Sequence, residues 1–303
     1  MKVQLQQLRY FAAVANHRHF TRAADELGVA QPTLSKQIHS LEADIGAPLF
    51  DRTRGNITLT PAGAALLPLA KRILADVETA RREVQELVGL RRGRVRIGAT
   101  PSLSTSLVAQ VLRRYRAAYP GIDLRVEEGG SQDLVRHLTE GELDLALIVL
   151  PEHGTDPALR AEPILRESLV VASVMPLTAP LRITDLRDRP LVMFRKGYDL
   201  RDVTLEACRR AGFVPSFAVE GGEMDAVLSF VEAELGVALV PSMVLSSRPG
   251  LRATPLAPPG VRRTIALAHR RESPPTHAAV ALRETLLAYL AEGPLPAGTS
   301  LAE

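Results

Sequence analysis

The 303 residues leave room for two or three domains at roughly 100–150 residues each. With 46% hydrophobic and 23% charged residues and no Trp, the composition is that of a globular chain with an aliphatic core, and its lone cysteine, Cys208, excludes an internal disulfide or a cysteine-built zinc site. The net charge of +3 is unevenly spread: residues 1–92 carry 13 Lys and Arg against 9 Asp and Glu, and residues 93–303 carry 24 against 25, which suits a phosphate-binding head on a neutral body.

The first twenty residues contain no signal-peptide core, and no run of ~20 apolar residues follows, so a cytoplasmic location without a membrane partner is expected. Helical periodicity opens the chain. Leu5, Leu8, Phe11, Ala12 and Ala15 recur at steps of three and four and define one apolar face. After His17 to His19 comes a second short helix, with Thr21 as its expected cap, Ala23, Ala24 and Leu27 turned inward, and Gly28 as its end. A third helix takes Pro32 in its first turn, a buried stripe of Leu34, Ile38, Leu41 and Ile45, and Gly46 as its end. Two short helices joined by a tight turn containing Gly make a helix-turn-helix. The other face of the third helix presents Pro32, Thr33, Lys36, His39 and Ser40, with Ser35 on the flank. These are small, polar or cationic groups of the kind that enter a major groove. The pattern alone equally admits a helical domain with an ordinary solvated face. Next, Ile57 and Leu59 alternate with Thr58 and Thr60 after a Gly55-Asn56 turn signal. This predicts a hairpin wing whose Arg52 and Arg54 suit phosphate oxygens.

The run from Leu8 to Gly63, with RYFAAVA, FTRAADELGVAQPTLSKQIHSLEADIGAPLFDR and ITLTPAG, closely resembles the LysR-type transcriptional regulators. The resemblance implies a winged helix-turn-helix in which Gln31, Pro32, Ser35 and Lys36 approach the groove of double-stranded DNA, with Arg52 and Arg54 on the backbone. Lys36 stands where the family often has Arg; an ammonium reaches guanine or phosphate but lacks the bidentate fork. Thr33 stands where Ala or Ser is common, and its methyl can meet a thymine methyl.

From Pro61 to about Leu90 there is no strand signal. Leu66, Ile73, Ala80 and Leu87 repeat every seven residues, interleaved with Ala70, Val77 and Val84. Such a seam calls for a partner helix and predicts dimerisation, which the resemblance also implies. A dimer places two recognition helices on two half-sites, so a near-palindromic operator is expected. Pro68 predicts a bend, or a helix start just after it. Leu90 to Gly93 reads as a hinge.

From Arg94 the period changes. Strands are expected near 95–99, 122–127, 143–150, 169–174, 191–194, 216–219 and 237–240, with helices near 103–119, 131–140, 201–211 and 223–235. The alternation predicts a mostly parallel α/β body in two units with a cleft. GELDLALIV and SFVEAELGVALVP resemble landmarks of the LysR-type effector domain, which implies the fold of periplasmic solute-binding proteins. Glu234 departs from that pattern, standing where the family often has Gly. The expected fold is therefore α/β with an all-α head. It comprises a winged helix-turn-helix at 1–63, a linker helix at 64–92 and an effector-binding domain at 93–303. Within the last, subdomain I takes about 93–163 and 266–303, and subdomain II about 164–265. The Pro- and Gly-rich tail, residues 293–303, is expected to be disordered.

The loop Thr100-Pro101-Ser102 follows the first strand of this body and opens a helix. Loops at the carboxyl ends of strands bind ligands in open α/β sheets, and helix-start amides with two hydroxyls favour an anionic group. Ser131 and Gln132 open the next helix, and Phe194 and Arg195 follow a strand of the second subdomain, where Arg195 suits a carboxylate. These residues are the candidate effector contacts. No nucleophile elbow, phosphate loop or Gly-x-Gly-x-x-Gly fingerprint occurs, so an enzyme is not expected, nor a cofactor or metal. The alternative is a cytosolic small-molecule-binding protein or enzyme with a solute-binding-like fold. The resemblance implies a regulator that works as a homodimer or homotetramer, answers a small-molecule effector and meets RNA polymerase.

Overall fold

The computed structural model describes residues 3–51, 57–87, 93–151, 154–273 and 275–302. The chain divides into two compact units, Met1–Gln85 with Thr139–Glu142, and Glu86–Leu138 with Leu143–Glu303.

The first unit contains α1 (Leu5–His17), α2 (Phe20–Leu27), α3 (Gln31–Ile45), β1 (Phe50–Asp51), β2 (Thr58–Leu59) and α4 (Pro61–Leu87). Its core is Phe11, Val14, Ala23, Ala24, Leu34, Ile38, Leu41 and Leu49, all fully buried. The Phe50 ring lies 5.3 Å from that of Phe11 and 6.0 Å from that of Phe20, so the start of the wing is packed onto α1 and α2. Gly28 ends α2 in the left-handed region at φ 65°, as its position predicts. The cap at the other end differs from expectation. α2 begins at Phe20, so Thr21 falls inside the first turn and the His19 ring accepts from the Arg22 amide instead. β1 and β2 pair antiparallel, Phe50 opposite Leu59 and Asp51 opposite Thr58, which is the expected hairpin. Arg52 and Arg54 lie outside the described residues, as do residues 90–92 of the hinge expected at Leu90 to Gly93.

α4 starts seven residues before Pro68 and runs through it, because its start is fixed elsewhere. The Thr60 hydroxyl accepts from the Gly63 amide at 3.0 Å and donates to the Pro48 carbonyl at 2.6 Å. A Cβ on Gly63 would fall 2.1 Å from the Leu49 carbonyl oxygen, so only glycine lets the helix start lie against the chain entering β1. The predicted seam is divided. Ala70 is fully buried in the core of the head and Leu66 packs on it, whereas Ile73 and Val84 are 42% and 60% exposed.

The second unit contains β3 (Arg94–Ala99), α5 (Pro101–Leu103), α6 (Ala109–Ala118), β4 (Asp123–Glu128), α7 (Ser131–Thr139), β5 (Leu145–Leu150) and β6 (Leu159–Ser173). It continues with β7 (Leu191–Met193), α8 (Asp199–Arg210), β8 (Phe217–Glu220), α9 (Met224–Glu232), β9 (Ala238–Pro241) and β10 (Arg252–Pro255). β11 (Arg262–Arg270), α10 (His277–Glu292) and β12 (Thr299–Leu301) complete it. β3 lies between β4 and β5 in parallel register, and β11 joins β5 to β6 by antiparallel pairing. β6 is the long element. Its first part runs against β11, and its last residues pair with β9 and β10. β7 and β8 form a separate parallel pair.

Strand pattern revealed only the last third of β6 and none of β11. In the first part of β6, Arg160, Glu162, Arg166 and Glu167 interrupt the apolar run, and Pro163 sits beside a register shift between Ile265 and Ala266. The tail also departs from expectation. β12 pairs with Leu165–Glu167 of β6, the Ser168 amide donates to the Gly298 carbonyl at 2.9 Å, and the Ala302 amide donates to Ile164. An open strand edge supplies donors and acceptors that a Pro- and Gly-containing segment can match as well as any other.

Glu234 follows α9 with φ 60°, where its amide bonds the Val231 carbonyl at 2.9 Å and the next amide bonds Phe230 at 3.1 Å. The left-handed conformation costs a residue with a Cβ about 1–2 kcal/mol, part of which glycine regains. Glu234→Gly should therefore stabilise the effector-binding unit by roughly 0.5–1 kcal/mol, read as a melting point about 2 °C higher in calorimetry. A lower melting point would contradict the strain argument.

Candidate nucleic-acid interface and effector cleft

The two faces of α3 are physically distinct. Leu34, Ile38 and Leu41 are fully buried. Gln31, Pro32, Thr33, Lys36, His39 and Ser40 are exposed, and Ser35 is half-buried at the border. The polar residues expected at DNA thus share one surface. Glu42, which the sequence reading did not single out, fixes α3 to the wing. One carboxylate oxygen accepts from the Leu49 amide at 2.9 Å and the Phe50 amide at 3.4 Å, and the other lies 3.2 Å from His39 Nδ1. An acid seven and eight residues before the amides it holds leaves no periodic signal.

In the second unit the loop after β3 is buried rather than open. Thr100 and Ser102 are 3% and 1% exposed, with their hydroxyl oxygens 3.4 Å apart. Neither makes a side-chain cap for α5. Instead the Ser102 hydroxyl accepts from Arg263 Nη2 at 3.2 Å, and Arg263 Nε is paired with the Glu167 carboxylate. Arg263 is 6% exposed and Glu167 fully buried. At this depth each charge needs the other, since removing one partner of a buried pair costs roughly 3–5 kcal/mol. The second Glu167 oxygen, Oε1, has no hydrogen-bond partner among the described residues. Both residues were missed in the sequence. Both strands carry several charges, so these two residues gave no signal that set them apart from surface charges.

Ser131 is 5% exposed, and its hydroxyl accepts from the Val149 amide at 2.9 Å. The same hydroxyl donates to Asp199 Oδ2 at 2.7 Å, and the Ser131 amide donates to that oxygen at 3.1 Å. Gln132 is exposed on α7. Phe194 is 1% exposed and stacks on Tyr198, with ring centroids 4.8 Å apart and planes 3° from parallel. It is a wall of the core rather than a projecting contact. Burial holds the Tyr198 phenol well above its usual pKa against the opposing pull of Arg263, and Glu223, Asp199 and Glu128 add to the rise. Tyr198 is therefore a neutral hydroxyl. Arg195, expected to meet a ligand carboxylate, is engaged by Glu223 at 2.7 Å, with Asp133 at 3.9 Å. The structure thus draws Thr100, Ser102 and Arg263 into one cluster and joins Ser131 to Asp199 in a second, while Arg195 is tied to Glu223.

Comparison with known proteins bears on both units. Residues 5–64 match the family of bacterial regulatory helix-turn-helix proteins of the lysR family, and residues 89–291 match the LysR substrate binding domain. The transcriptional dual regulator GltC of Bacillus subtilis (strain 168) is 32% identical over 274 residues, covering 88% of this chain and 90% of that one. A probable hydrogen peroxide-inducible genes activator of Streptomyces viridosporus is 35% identical over 297 residues, covering 93% and 94%. Among solved structures, full-length OxyR from Pseudomonas aeruginosa with a Cys-to-Asp substitution is 27% identical and superposes with a TM-score of 0.74, covering 100% of this chain and 99% of that one. These relatives are named as regulators, in line with the expectation that the chain is not an enzyme. The chain belongs to the LysR family of DNA-binding transcription regulators, with a helix-turn-helix toward its N-terminal end and an effector-binding domain after it.

Proposed function

We propose that this regulator reads double-stranded DNA with the exposed face of α3 and is switched by a small molecule held between two subdomains of its effector domain. The observation that carries the reading is the division of α3, with aliphatic groups sealed inward and Gln31, Pro32, Thr33, Ser35 and Lys36 gathered outward. Lys36 and Ser35 supply donors for base edges or phosphate, and Thr33 a methyl for thymine. Arg52 and Arg54 of the wing hold the backbone. The working division is a head at 1–63, a linker helix at 64–92 and an effector domain at 93–303. The exposed Ile73 and Val84 of α4 support a homodimer, and a pair of such dimers makes the tetramer. The partners are a near-palindromic operator, the effector and RNA polymerase. Among the described residues no helix is long and apolar enough to cross a membrane, which agrees with a cytoplasmic location.

The effector site is placed at Thr100, Pro101 and Ser102, with Ser131, Gln132, Phe194 and Arg195 on its other sides. A ligand that binds one arrangement of the subdomains more tightly shifts the equilibrium toward it and so changes the spacing of the DNA heads. Peroxide sensing through a thiol pair, which the name of one relative raises, is disfavoured here. Cys208 is the only cysteine and is 1% exposed. Burial pushes its thiol up to about 11, leaving roughly one thiolate in ten thousand at neutral pH.

Ser35→Ala combined with Lys36→Ala should weaken retention of the preferred duplex by about thirtyfold, corresponding to ~2 kcal/mol, in a mobility-shift titration while the oligomer is unchanged. Wild-type retention in that variant would remove α3 from the interface. Thr100→Val with Ser102→Ala should abolish the change in operator affinity produced by small carboxylates but leave basal DNA binding intact. An undiminished ligand response would move the site elsewhere. Cys208→Ser should give the same operator affinity as wild type before and after peroxide treatment; a peroxide response present in wild type and absent in the variant would overturn the reading of this cysteine.

A further inference from the structure

One carboxylate of the protein already occupies the turn at the start of α7. Ser131 offers two donors there, its amide and its single hydroxyl proton, and both go to Asp199 Oδ2, at 3.1 Å and 2.7 Å. The hydroxyl cannot rotate away to serve a ligand acid without cost, because its lone pair is held by the Val149 amide at 2.9 Å. Asp199 comes from a distant element: it is the first residue of α8, after the loop that follows β7. That loop is itself seated closely: a Cβ on Gly130 would stand 3.2 Å from the Gly197 carbonyl. The neighbouring cation does not offset this. Arg195 is held by Glu223 at 2.7 Å, with Asp133 at 3.9 Å. At the other cluster, Ser102 accepts from Arg263 at 3.2 Å, and the buried Glu167 Oε1 has no donor among the described residues.

We propose that Asp199 is a specificity-determining residue of the effector site: by filling the Ser131 turn with a carboxylate, it rejects effectors that carry an acid at that end and selects those that present an ammonium or other donor there. The inference rests on the proposed placement of the effector at Thr100 and Ser102. A ligand acid at Ser131 must displace Asp199 and then sit beside it, two like charges within a few ångströms at a partly buried site. A ligand ammonium meets Asp199 as a partner and leaves its bonds to Ser131 in place. The preferred class is therefore a small molecule that turns an amine or other donor toward Asp199, with any carboxylate it carries at its other end.

Matched ligands differing at one end test this in the full-length protein: γ-aminobutyrate against succinate, and δ-aminovalerate against glutarate, titrated by calorimetry. Wild type should prefer the amino member of at least one pair by about tenfold or more, and Asp199→Asn should erase or invert that preference. A wild-type preference for the dicarboxylates, an Asp199→Asn variant that discriminates as wild type does, or no binding of any of the four would overturn the proposal. Ser102→Ala separates the two readings. If it abolishes binding while Asp199→Asn leaves discrimination untouched, the site stands and the role of Asp199 falls; if ligands bind undiminished, the placement of the site falls. Amide exchange supplies a ligand-free check: the Ser131 amide should exchange about tenfold faster in Asp199→Ala, and an unchanged rate would mean that Asp199 does not occupy the turn.

Discussion

Packing of one stripe of α3 decides what the rest of the molecule can present to DNA. Leu34, Ile38 and Leu41 are sealed against α1 and α2. Burying each contributes about 1.5–3 kcal/mol relative to leaving it in water, so together they outweigh any single contact the opposite face makes. Successive residues of a helix turn by about 100°, so a rotation of even one position would drive Thr33 or Ser35 into the core and expose an aliphatic side chain. The outward residues are thus held outward by the inward ones. Glu42 extends the constraint to the wing, because its carboxylate takes the first amides of the chain that enters β1. Thr60 and Gly63 extend it to α4, whose start is capped by one and admitted by the other.

A comparable economy governs the effector unit. β6 and β11 pair along most of their length, and the ends of β6 serve different neighbours. Glu167 and Arg263 lie directly opposite each other on these two strands, and Arg263 reaches Ser102 in the loop after β3. A buried ion pair on the strands common to both halves, touching the loop where a ligand is proposed to sit, gives ligand contacts a short physical path to those strands. The Ser131–Asp199 bonds tie the start of α7 to the start of α8.

Much of this was legible in the sequence because the signals were periodic. The stripe of α3, the Gly28 and Gly46 helix ends, the paired wing strands and the parallel β3–β5 strands each follow from a repeat of 3.6 or 2 residues bounded by residues of fixed backbone preference. What escaped detection was non-periodic. Glu167 and Arg263 look like surface charges on a broken strand until their pairing is known. β12 is built by backbone bonds that side-chain pattern does not encode. His19 displaced Thr21 as a cap because the helix began earlier than its apolar pattern. Thr100, Ser102 and Ser131 were singled out from their place at strand ends, whereas Asp199, which accepts from the Ser131 amide and hydroxyl, comes from a distant element and carries no mark of that contact in the chain order.

The central claim is that the outward face of α3 meets base pairs. Its most direct test is selection of random duplexes by the full-length protein at moderate salt, followed by sequencing of the retained fragments. The account predicts enrichment of a near-palindromic motif whose half-sites are separated by whole turns of DNA. Retention with no sequence preference would contradict it.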